Sequence, residues 1–74
     1  MDLTRNYRIV KVNMDVFVET FNLMYMFIKR GLMELEKIEI DEGTMFIYLY
    51  CGDERIWDAM LDILTAMGIG FGID

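Results

Sequence analysis

Hydrophobic residues in this chain repeat with a period of two in some segments and with the 3.6-residue period of a helix in others, and this alternation limits the fold more than any other feature. Residues 7–14 alternate and are rich in β-branched side chains, which predicts a strand. Residues 15–30 and 53–67 repeat at helical spacing, and the glycines that follow them, Gly31 and Gly68, favour the left-handed conformation that ends many helices. The pattern therefore predicts two helices separated by strands.

The second predicted strand changes phase halfway along its length. Met33 and Leu35 occupy one phase of the alternation, whereas Ile38 and Ile40 occupy the other. One extra residue near positions 36–37 would return all four apolar side chains to one face, so we predict a β-bulge there. The alternative is that the strand begins only after this point.

Two further segments complete the predicted topology. Asp41-Glu42-Gly43-Thr44 has the composition of a hairpin turn, and residues 45–51 are apolar on both faces, which is typical of a central strand. With a short last strand over residues 71–74, the order β-α-β-β-α-(β) is that of the ferredoxin-like α+β fold. Right-handed crossovers then place the first and third strands at the centre of an antiparallel sheet, with both helices on one face and the other face open. We expect a single small domain over residues 1–74.

The ends of the predicted elements carry signals of their own. Asp15 is predicted to cap the N-terminus of the first helix, because a carboxylate accepts hydrogen bonds from the free N–H groups of a helix start. Gly52-Asp53-Glu54 is predicted to end the third strand and cap the second helix. Met14 would then be the last core-facing residue of the first strand, after Val10 and Val12.

A core built from 74 residues is marginal, and the usual reinforcements are absent from the sequence. The single cysteine, Cys51, cannot form an intramolecular disulfide, and without histidine or a cysteine cluster there is no structural zinc motif. Hydrophobic residues make up 55% of the chain, more than so small a globule can bury. We therefore expect self-association, most simply a homodimer. The lone cysteine and the lack of a signal peptide or a membrane-spanning segment predict a cytoplasmic protein.

The residue types missing from the chain exclude several enzyme classes. With no histidine and no serine, neither a Ser-His-Asp triad nor a Cys-His pair can form. Cys51 alternates with core-facing Leu49, so it is predicted to be buried and structural. Asp58 and Asp62 lie four positions apart on the second helix without a Ca²⁺-loop motif, which favours a solvated acidic face over a metal site. We therefore expect no enzyme activity, no metal and no cofactor.

The net charge of −6 is unevenly distributed. Residues 1–33 hold five basic and three acidic side chains, a balance of +2, whereas residues 34–74 hold two basic and ten acidic side chains, a balance of −8. This acidity argues against direct nucleic-acid binding, which needs a basic footprint. It favours a partner protein with a basic surface. The alternative is that the acidic residues only keep a hydrophobic domain soluble.

The face of the sheet opposite the helices is the main candidate binding surface. Aromatic residues of the third strand are predicted to lie there beside Tyr7 and Ile9. RNA-recognition domains present aromatic residues on the same two strands, but the neighbouring strand here is acidic, so a protein interface is favoured, with coverage by a dimer partner as the alternative. Including the acidic helix, the predicted partner-binding residues are Glu34, Glu36, Glu39, Tyr48, Tyr50, Asp58 and Asp62.

Two functions are compatible with these expectations. The first is an acidic, non-catalytic inhibitor or adaptor that docks on a basic partner, for example an antagonist of a nucleic-acid-binding protein encoded by a virus or another mobile element. The second follows from a resemblance. The element order over residues 7–74, with glycines closing both helices, resembles the ACT domains, which implies a small-molecule-sensing regulatory subunit that acts as a dimer. Those domains carry a glycine at the turn into the first helix, where this chain has Asn13-Met14-Asp15.

Overall fold

The computed structural model describes residues 6–73, so Asp74, predicted to end the last strand, lies outside the described residues. The predicted α+β class and the predicted order of elements are confirmed. A short 3-10 turn (Met14–Val16) precedes the first helix. The strands and helices are β1 (Asn6–Asn13), α1 (Phe17–Lys29), β2 (Glu34–Asp41), β3 (Thr44–Cys51), α2 (Glu54–Ala66) and β4 (Phe71–Ile73).

The four strands form one antiparallel sheet in the order β2-β3-β1-β4, a ferredoxin-like arrangement. The predicted central pair, β1 and β3, is confirmed, and the short β4 pairs with the outer edge of β1. Side chains along β3 alternate strictly between buried and half-buried. The buried set faces the helices, because it forms one core with the apolar residues of α1 and α2.

The core lies between one face of the sheet and the two helices. Trp57 on α2 is fully buried at its centre, and the core also includes Met24 from α1 and Ile47 from β3. Buried apolar surface of this kind is the main source of stability in a domain that has no disulfide. Neither helix in the described part of the chain is long and apolar enough to cross a bilayer.

The bulge predicted in the second strand is confirmed. Leu35 pairs with Leu49, whereas Lys37 pairs with Tyr48, so Glu36 is the extra residue at which the register shifts. The shift returns the later apolar side chains of β2 to the helix side of the sheet. A bulged, charged edge strand also resists pairing with the edge of another sheet.

The predicted hairpin turn joins β2 to β3. Its central residues both have positive φ, 50° at Glu42 and 83° at Gly43, as a type I′ turn requires. Glycine adopts this conformation without steric cost. The Gly43 carbonyl accepts a hydrogen bond of 3.0 Å from the Met14 N–H, which ties the hairpin to the segment that leads into α1.

Two predictions at the end of β1 are wrong. Asp15 does not cap α1, whose N-cap is Val16 and has no side-chain capping hydrogen bond. Asn13 instead caps the 3-10 turn, because its Oδ1 accepts a hydrogen bond of 2.7 Å from the Asp15 N–H. This bond closes the 3-10 turn, so α1 begins only at Phe17. Met14 therefore leaves the strand, and its side chain is exposed instead of facing the core.

Candidate protein-interaction surface

The face of the sheet opposite the helices, the open face, is built by alternate residues of the two central strands. These side chains remain exposed or half-buried because, among the described residues, both helices pack on the other face. The register sets three cross-strand pairs side by side: Tyr7 with Tyr50, Ile9 with Tyr48, and Lys11 with Phe46.

Three tyrosines cluster at one end of the open face, on the two central strands. The ring centroids of Tyr7 and Tyr50 are 4.7 Å apart, and those of Tyr7 and Tyr48 are 6.1 Å apart. Aromatic rings at such separations attract one another. The structure therefore brings together Tyr48 and Tyr50, both predicted to bind a partner, and adds Tyr7 to them. Tyrosines held in this way offer a partner large amphipathic surfaces that lose little conformational entropy on binding.

Tyr48 also belongs to a charged network at the edge of the open face. Its hydroxyl donates a hydrogen bond of 2.8 Å to Glu39 Oε1. Lys37 Nζ lies 3.2 Å from Glu39 Oε2 and 4.6 Å from the centroid of the Tyr48 ring. The hydrogen bond to the carboxylate raises the pKa of Tyr48 and lowers the pKa of Glu39. The same carboxylate raises the pKa of Lys37. The positive charge of Lys37 therefore compensates part of the negative charge of Glu39 within the open face.

Replacing Glu39 with glutamine is expected to lower the pKa of Tyr48 toward its ordinary value, because a neutral amide opposes ionisation of the phenol less than a carboxylate does. NMR titration of the Tyr48 ring resonances measures this change. Glu19→Gln on α1 is the matched control and should leave the titration unchanged. The folded-state pKa of Glu39 is lowered, so the interactions of its carboxylate stabilise the folded state at pH values above the unfolded-state pKa. This stabilisation is lost as pH falls through the folded-state pKa. A Tyr48 pKa that is identical in Glu39→Gln would contradict the network.

The bulge gives Glu36 a particular position in the open face. The pKa of Tyr7 is raised, first by desolvation and then by the negative charge of Glu36. Because β3 lies between β1 and β2, this influence crosses a whole strand. The extra residue of β2 therefore directs a carboxylate toward the tyrosine cluster.

The predicted acidic residues fall into two groups. The β2 acids, Glu34, Glu36 and Glu39, lie along one edge of the open face. The α2 acids, Asp58 and Asp62, are exposed on the outer side of the helix layer. The sheet separates the two groups, so the structure brings the β2 acids together with the tyrosines but not the α2 acids.

One contributor to the open face was missed by sequence reasoning. Lys37 follows the bulge and pairs with Tyr48, which places it in the same phase of β2 as Glu39. The alternation after the bulge contains this signal, because Lys37 precedes the core-facing Ile38. The edge of the open face is therefore acidic with one embedded cation, rather than uniformly acidic.

An open cleft of about 590 Å³ lies where the end of α1 approaches β2 and β3. Its wall is mostly apolar, with Glu34 among the lining residues. Cys51 also lines it and is buried as predicted, with Sγ 3.4 Å from the carbonyl oxygens of Leu32 and Asp53. Within residues 6–73, no three cysteine or carboxylate side chains are grouped so that they could hold a metal ion.

Comparison with protein-family models, with curated proteins and with solved structures finds no match for this chain. A functional assignment therefore depends on the surfaces themselves. The open face has the features of an interface: clustered aromatic rings on its central strands and charged residues along its edge.

Proposed function

We propose that this chain is a non-catalytic protein-interaction module whose open face binds a basic surface of another protein. The observation that carries the proposal is the tyrosine cluster with the β2 acids along its edge, on one side of a single sheet. Tyrosine is enriched where interface residues contribute most to binding, since its ring packs while its hydroxyl bonds. Carboxylates at the edge favour a basic partner and speed association with it.

An inhibitor or adaptor fits this chemistry best. Basic protein surfaces commonly bind nucleic acid, and an acidic module seated on such a surface would occlude it. An antagonist of a nucleic-acid-binding protein, of the kind that viruses and other mobile elements encode, is one instance. We place this activity in the reducing cytoplasm, where a free thiol such as Cys51 persists.

Affinity capture tests the proposal. The purified chain serves as bait in a lysate of its source organism or of that organism's host, and mass spectrometry identifies what it retains. We expect one stoichiometric partner with a basic surface, captured at low salt and lost at high salt because salt screens exposed charges. Bait carrying Tyr48→Ala and Tyr50→Ala should fail to retain it. A partner retained equally at both salt concentrations, or by the double variant, would contradict the proposal.

A small-molecule-sensing subunit is the second candidate, and the cleft beside Cys51 favours it. Its volume, about 590 Å³, is in the range of small-ligand sites, which span about 300–1,000 Å³. A ligand that binds the folded state raises the melting temperature. A thermal-shift screen of metabolites in which none raises the melting temperature would count against this function.

A further inference from the structure

The outer side of α1 carries apolar surface that the open face does not include. Phe17, Phe21 and Tyr25 follow one another at intervals of four residues, with successive ring centroids 5.7 and 6.4 Å apart. Beside this ladder, Val18 is 63% exposed and Met26 is 50% exposed, and Tyr25 itself is 52% exposed. These five residues form the α1 strip. Contiguous apolar surface of this kind on a small domain marks an interaction site.

The charges that flank the α1 strip complement a second copy of the same helix. Glu19 lies in the first turn of α1, whereas Lys29 and Arg30 lie at its end. None of the ion pairs among residues 6–73 involves these three side chains. In a two-fold dimer with antiparallel helices, the acidic start of each helix meets the basic end of the other. Parallel helices would instead place like charges together.

Helical spacing supports the antiparallel orientation. Arg30 is 30 − 19 = 11 positions after Glu19, which is about three turns at 3.6 residues per turn. Both side chains therefore lie on the same flank of the helix. In a two-fold antiparallel pair, each flank faces the same flank of the other copy. Glu19 of one copy would then face Arg30 of the other, once on each side of the dimer axis.

We propose that the α1 strip is the seam of a homodimer of this chain. The charges that flank the strip are complementary under two-fold symmetry, as an isologous interface requires. Thirteen helical residues span roughly 20 Å, so the seam is short and fits a reversible dimer better than an obligate one. Because the helices lie on one side of the sheet, the dimer leaves two open faces directed outward, and each can bind a partner. The seam is separate from the open face and does not depend on the function proposed for it.

Sedimentation equilibrium of the purified chain alone tests the seam. We expect a concentration-dependent equilibrium between monomer and dimer. Val18→Glu with Tyr25→Glu should weaken the dimer on the order of 100-fold, because it brings unpaired carboxylates into an apolar seam. The matched control, Ile63→Glu with Met67→Glu, changes exposed apolar residues near the end of α2 and at its C-cap and should leave the dimer intact. Circular dichroism establishes that each variant is folded.

A charge exchange tests the orientation of the seam. Glu19→Arg alone should weaken the dimer by about tenfold, since it faces Arg30 of the other copy. Combining Glu19→Arg with Arg30→Glu should restore the affinity to within about twofold of the original. The two positions are too far apart to pair within one helix, so restoration reports a contact between copies. A monomer at every concentration, a dimer that survives Val18→Glu with Tyr25→Glu, or no restoration by the exchange would overturn the proposal.

Discussion

Trp57→Ala is expected to leave the chain largely unfolded at room temperature. Trp57 is 0% exposed and lies at the centre of the core, and truncating such a residue to alanine costs about 3–5 kcal/mol. A single core in a chain of this length supplies a similar amount, about 3–5 kcal/mol. Circular dichroism with thermal melting measures the loss. Tryptophan fluorescence cannot follow this variant, because Trp57 is the single tryptophan.

Trp57→Phe is the matched control and is expected to remain folded. Within the described part of the chain, the indole N–H has no hydrogen-bond acceptor. Removing it eliminates the free-energy cost of a buried, unpaired donor, which offsets part of the cost of the smaller side chain. The Arg8 guanidinium lies 5.4 Å from the centroid of the Trp57 ring and donates a hydrogen bond of 2.8 Å to Glu54. A phenyl ring at position 57 keeps an aromatic face for this guanidinium. A Trp57→Ala variant that melts cooperatively near the wild-type temperature would show that the core does not depend on Trp57.

Glu34→Lys with Glu36→Lys is expected to weaken binding of the basic partner on the order of 100-fold, because like charges brought together in an interface cost several kcal/mol. Each substitution changes the charge by +2, so the net charge rises from −6 to −2. Both glutamates are exposed, so the fold should persist. Glu39 is left in place because it holds the Tyr48 hydroxyl.

Asp58→Lys with Asp62→Lys provides the matched control for charge. It also raises the net charge from −6 to −2, but it alters the helix layer instead of the open face. Because these two positions would affect the partner only through long-range electrostatics, the double variant should weaken binding by less than about tenfold. Isothermal titration calorimetry with the captured partner compares the two variants. Equal losses would mean that net charge alone governs binding, and a larger loss from the α2 acids would move the interface to the helices.

Features set by local pattern could be predicted from the sequence. Leu35 and Ile38 can share the core face only if one residue between them is extra, so the bulge follows from the change of phase. The hairpin follows from Glu42-Gly43, because glycine accommodates positive φ. The cap of α2 lies within the predicted segment Gly52-Asp53-Glu54, where Asp53 accepts a hydrogen bond of 2.9 Å from the Arg55 N–H.

Features set by contacts between distant segments could not be predicted in this way. Asn13 and Asp15 are both residue types that cap helices. In the structure Asn13 caps the 3-10 turn, and the Met14 N–H in that turn donates a hydrogen bond to the carbonyl of Gly43, which is distant in the sequence. Ile40 pairs with Met45 on the core face as predicted, yet Ile40 is 59% exposed whereas Met45 is 1% exposed, so burial on the core face does not extend to the edge strand at this position.

The layout of the candidate site shows the same limit. The sequence places all five predicted acids in one acidic half of the chain, but charge along a segment carries no information about the layer in which the segment lies. Only the packing of α2 against the sheet separates Asp58 and Asp62 from the open face. The tyrosine cluster was predictable as a set of positions on two strands, since alternation alone assigns those side chains to one face.

The open face is tested most directly by mapping the footprint of the captured partner on the isotopically labelled chain by NMR. We expect the largest chemical-shift changes at Tyr7, Tyr48 and Tyr50, with small changes at Asp58 and Asp62. Changes confined to the helices, with the three tyrosines unaffected, would contradict the assignment of the open face as the binding surface.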